Sequence, residues 1–79
     1  MSKSIFPIGF LNIGCDAIVK DFVGGKEMRQ RLTEMGLICG ARIRVIKNGM
    51  GGPLIVSIND VRLAIGWGMA LKIMVEEVI

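Results

Sequence analysis

The sequence predicts a mainly β protein, a small five-stranded barrel with one short α-helix between strands 1 and 2. Three observations carry that expectation. The chain has 79 residues, 52% of them hydrophobic, which is enough for one small core. Apolar residues alternate with a period of two along most of the chain and take a helical period in one stretch, just before Gly36. Glycine-rich or Asn-Asp segments then cut the chain into strand-length pieces. An open sheet of such short strands buries little, whereas closing it into a barrel removes most exposed edges.

Residues 1–10 read as an N-terminal lead-in, because Pro7 and Gly9 interrupt their apolar residues; a single domain follows over residues 11–79, with Leu11 as its first core anchor. Gly14 turns the chain. In strand 1, residues 15–23, the order CDAIVKDFV puts Ala17, Val19, Asp21 and Val23 on one face and Ile18, Lys20 and Phe22 on the other. That imperfect alternation suits a barrel strand covered in part on both faces, with Phe22 in the core.

Gly24 and Gly25 end the strand and open a helix over residues 26–35, glycine being an acceptable N-cap though poorer than Ser or Asp. Met28, Leu32 and Met35 fall at i, i+4 and i+7 and form its apolar face. Glu27 precedes Arg31 by four residues, an ion pair worth about 0.3 kcal/mol on an exposed face. Gly36 stands where a helix C-terminus takes a left-handed residue, and Leu37 can pack back over the last turn.

Strand 2, residues 41–47, turns Ala41, Ile43 and Val45 to the core and leaves Arg42 and Arg44 wet. Residues 48–53, NGMGGP, form a loop or hairpin tip. Leu54–Ile58 and Val61–Ile65 make a hairpin around Asn59-Asp60, a turn pair that tolerates positive φ. Gly66 and Gly68 flank Trp67 in a bend, Met69 and Ala70 make one helical turn, and residues 71–75 form the last strand, with Glu76 and Glu77 at its wet end. Five short strands and one helix sharing one core fit an SH3-like barrel.

Composition excludes several function classes. There is no histidine, so the usual neutral-pH base and the commonest metal ligand are both missing, and no catalytic residue is expected. Cys15 and Cys39 lack the paired spacing of a zinc site, so no metal or other cofactor is expected, and the two cysteines fit a reducing cytoplasm. The net charge of +3 is dispersed rather than gathered in a stripe, which argues against nucleic acid as a partner. The longest uncharged stretches, residues 4–15 and 48–59, fall short of the roughly 18 apolar residues of a membrane span, so no direct membrane insertion is expected. The opening MSKSIFPIGFLNIGC has the outline of a lipoprotein signal, but Pro7 and Asn12 interrupt it. NGMGGP is not a P-loop, since it lacks a Lys-Ser/Thr pair and joins strand to strand. Phe6, Phe10, Phe22 and Trp67 are too few aromatics for an SH3-type peptide groove.

The order of residues resembles the FeoA family, ferrous iron transport protein A. The matching pieces are Gly14 with Ile18 and Gly24-Gly25, then RLTEMGLICGARIRVI from Arg31 to Ile46, GGPLIV from Gly51 to Val56, Leu63-Ala64, Ala70 and Ile73-Met74-Val75. The resemblance implies an SH3-like barrel in the cytoplasm that binds the GTPase-bearing cytoplasmic part of the FeoB permease and modulates its assembly or activity. The same fold occurs as the C-terminal domain of iron-dependent repressors, so a free-standing metal-responsive regulatory domain is the alternative. Family members often carry an arginine and an acidic residue where this chain has Gly66 and Met69, so charge is replaced here by an apolar GWGM bend.

The residues expected to meet a partner are Lys26, Arg29, Gln30 and Thr33 on the exposed helix face, Met50 at the loop tip, and Trp67. Each has a plainer reading: a solvated helix face, a hairpin tip, and a tryptophan that plugs the barrel. Homo-oligomerisation stays open.

Overall fold

The computed structural model describes residues 4–49 and 52–79. Its single longer helix, α1 (Lys26–Glu34), stops for a local reason. Gly36 takes φ +93°, its N–H donates to the Thr33 carbonyl and the Leu37 N–H donates to that of Leu32. This is the Schellman pattern, and it folds Leu37 back onto Leu32, both fully buried. Met28 and Met35 are half-buried against the same core.

The strands are β1 (Ile5–Pro7), β2 (Asp16–Phe22), β3 (Arg42–Lys47), β4 (Leu54–Ile58), β5 (Val61–Ile65) and β6 (Ile73–Glu77). They form one antiparallel sheet in the order β1-β6-β2-β3-β4-β5, curled round a core that includes Val19, Ile43, Val56, Ile65 and Val75. A 3-10 turn (Ile8–Phe10) follows β1, and a four-residue helix, α2 (Trp67–Ala70), joins β5 to β6. Alternation in β3 is as the sequence predicts, with Ile43 and Val45 buried and Arg42 and Arg44 exposed. The β4–β5 hairpin turns on Asn59 (φ 49°) and Asp60 (φ 64°), the doubly left-handed pair of a type I′ turn.

Four expectations are corrected. There are six strands, not five, because residues 5–7 pair with β6, Ile5 opposite Glu76 and Pro7 opposite Met74. Residues 5–10 are therefore part of the fold rather than a lead-in, and Ile8 anchors the core before Leu11, its side chain fully buried. In β2 the register shifts between Val19 and Asp21, so that Phe22 lies in the core as expected but Val23, expected to share the face of Ala17 and Val19, is left 55% exposed. One extra residue in a strand swaps the faces of everything after it, which is why the alternation looked imperfect. The last strand begins at Ile73 instead of Leu71 and runs through Glu76 and Glu77, which are half-buried rather than a wet end.

Candidate functional site

α1 lies with Lys26, Arg29, Gln30 and Thr33 exposed, as its period requires. Two of these side chains have internal work. Arg29 Nη2 donates to the Phe22 carbonyl at 2.8 Å and lies 3.5 Å from the Asp21 carboxylate, so it ties the helix to the end of β2. The Thr33 hydroxyl donates to the Arg29 carbonyl at 2.8 Å, one turn back. Lys26 and Gln30 stand beside them on the surface. Gln30 also lines an open groove of about 380 Å³ with Glu27, Met28, Arg31, Glu34 and, from α2, Met69. The groove therefore joins the expected helix face to the bend over residues 66–69. Two methionines and side chains of both signs of charge line the groove.

Trp67 does not line that groove. Its indole covers Gly9, where an added Cβ would come within 3.0 Å of the ring, and meets Phe10 edge-on with centroids 6.3 Å apart. It is still 47% exposed and Phe10 is 62% exposed, so the pair both caps the 3-10 turn and presents an aromatic surface. Asn48 donates to the carbonyls of Gly9 and Leu11 at 3.1 Å, which brings the start of the 48–53 loop to the same turn. Met50 lies outside the described residues.

A charged cluster on the sheet was not foreseen from the sequence. Asp16 on β2 accepts hydrogen bonds from Arg42 at 2.8 and 3.0 Å and from Arg44 at 2.6 and 3.3 Å. The two guanidiniums hold its carboxyl at about 2, well below the usual range. Next to it, a hydrogen bond with the Glu77 carboxylate pushes the Cys15 thiol up. Lys20 pairs with Glu76 at 3.5 Å. The only advance signal of the cluster was the Arg-x-Arg spacing on β3, since the sequence does not say which strand, or which acid, lies opposite. Among the described residues, no group of three or more His, Cys, Asp or Glu is placed to hold a metal ion. No helix there is long and apolar enough to cross a membrane.

The fold and its surfaces define a class, a small SH3-like barrel that offers an exposed helix, an aromatic corner and a basic strand face. Within that class the FeoA domain family matches residues 6–77, and the chain belongs to the FeoA family. A protein of Methanocaldococcus jannaschii named as an Fe(2+) transport protein A is 41% identical over 73 residues, which cover 92% of this chain and 88% of that one. A crystal structure of an iron uptake regulatory protein, FeoA, matches with a TM-score of 0.87 at 39% identity, over 95% of this chain and 99% of that one. A manganese-dependent transcriptional repressor matches with a TM-score of 0.86 at 18% identity, over 99% of this chain and 44% of the repressor, a likeness of fold alone.

Proposed function

We propose that this protein is a cytoplasmic, non-enzymatic accessory of ferrous iron uptake that binds the GTPase-bearing cytoplasmic part of the FeoB permease. The observation that carries the reading is the family match across residues 6–77, which takes in every strand but for Ile5 of β1, and both helices. The docking surface in this reading is the α1 face at Lys26 and Gln30 with the Met28–Met69 groove beside it. Arg29 and Thr33 support that surface by fixing α1, and Trp67 lies outside the groove. A partner that binds one nucleotide state of a GTPase more tightly than another shifts its cycle by that difference in affinity, and one that binds all states equally shifts nothing.

Titration of the protein into the soluble cytoplasmic region of the permease from the same cell, with GTP turnover measured in parallel, tests the proposal. Binding that differs between the GDP and GTP states, with altered turnover, makes the protein a regulator; equal binding makes it a scaffold. Absence of binding in every nucleotide state overturns the reading. With binding established, Lys26→Glu is expected to weaken it about tenfold at low salt, the size of one charge pair, and an unchanged affinity removes α1 as the docking surface.

A further inference from the structure

The two outer strands of the sheet are finished differently. β1 has three residues and ends on Pro7, the usual way of blunting an edge. β5 has five residues, no proline and an unbroken register against β4. Among the described residues no strand pairs with its other side and no backbone hydrogen bond reaches it. The two-residue turn makes Ile58 and Val61 a hydrogen-bonded pair, so Val61, Leu63 and Ile65 direct their backbone groups to β4, while those of Arg62 and Ala64 point outward.

The side chains along this edge have two distinct faces. Val61 is 55% exposed and Leu63 half-buried on the core side, an apolar margin that the sheet leaves open. On the outer side the register sets Arg44, Ser57 and Arg62 in one row and Lys47, Ile55 and Ala64 in the next, with Arg42 two residues along β3 from Arg44. Of these four cations, Arg42 and Arg44 are hydrogen-bonded to Asp16 and share an open hollow with it and with Asp60 at the turn.

We propose that β5 accepts an extended segment of a partner protein as a seventh strand, and that the segment alternates acidic with apolar residues. Its backbone pairs with the outward groups of Arg62 and Ala64, its acidic side chains lie on the basic outer face, and its apolar ones cover Val61 and Leu63. A second copy of this chain is the poorer occupant. Antiparallel self-pairing about Leu63 sets the two Arg62 side chains diagonally on one face, backed by Arg44 of each copy, which costs like-charge repulsion. The proposal does not rest on the permease reading, because it concerns the chemistry of the segment and not the protein that supplies it.

The probe is a capped synthetic hexapeptide of alternating glutamate and valine, N-methylated at its valines so that it cannot build sheets of more than two strands yet leaves the glutamate N–H groups free for β5. Amide exchange of the isotopically labelled protein is followed by NMR. Exchange at Arg62 and Ala64 is expected to slow about tenfold with excess peptide, and Arg62→Glu to weaken binding about tenfold, the equivalent of one lost charge pair. Ala64→Pro, which removes an outward N–H but no bond to β4, is expected to abolish the effect while the circular dichroism is kept. Three results overturn the proposal: slowed exchange confined to other residues, equal binding of an isomer methylated at its glutamates, or Arg62 and Ala64 already protected in a dimer without peptide.

Discussion

Asp16 shows how one carboxylate can order a sheet surface. Its two oxygens accept from both Arg42 and Arg44, so three charges from two strands are held together on one face. Its carboxyl titrates at about 2 instead of 3.8, which means that the folded chain binds the proton less readily than the unfolded one. The stabilisation is therefore present above the ordinary value and is lost as pH falls from about 4 through about 2. Asp16→Asn is expected to lower the urea midpoint at pH 6, and the gap from the parent protein to close as pH approaches 2. A gap that stays constant with pH excludes the charge effect. Arg29 is a second case. Expected as a free docking cation, it spends its guanidinium on the Phe22 carbonyl and Asp21, contacts that depend on where β2 ends.

Among the elements, α1 and the β4–β5 hairpin follow their local signals closely. Gly36 at φ +93° has nothing within 4 Å of where a Cβ would lie, so a side chain there meets a conformational penalty and no clash. Gly36→Ala is expected to cost about 1 kcal/mol, measured by urea unfolding with the slope unchanged. The helix period also identified Lys26 and Gln30 as exposed, as they are. β2 is the contrary case. Its register shift after Val19 turns Val23 out of the face it was expected to share with Ala17 and Val19, and no local periodicity marks the residue at which a strand slips.

At the scale of the whole molecule, the N-terminal segment extends the sheet by a strand and supplies part of its core. β1 covers the outer edge of β6, and Ile8 fills the core beneath the 3-10 turn with no exposed area. Ile8→Ala is expected to cost about 2–5 kcal/mol, a large share of the stability of so small a domain, and to lower Tm by more than 8 °C. A thermal midpoint unchanged by this substitution would return residues 1–10 to the status of a lead-in. The aromatic corner belongs to the same scale, since Phe10 and Trp67 come from distant parts of the chain and meet because the 3-10 turn packs on α2.

The sequence by itself determined the helix and its stop at Gly36, the Asn59-Asp60 hairpin and the wet and dry faces of β3. Each depends on backbone preferences or side-chain spacings within a few residues, which the chain carries locally. The family was also legible, because RLTEMGLICGARIRVI holds that helix stop and strand start together. Tertiary structure decided the rest. Which strand lies beside which, and in what register, is set by contacts between residues far apart in the chain, and an apolar or charged residue is compatible with many partners until the core chooses one. That choice placed β1 on β6, set Asp16 between Arg42 and Arg44, turned Val23 outward and, among the described residues, left β5 with no strand on its outer side.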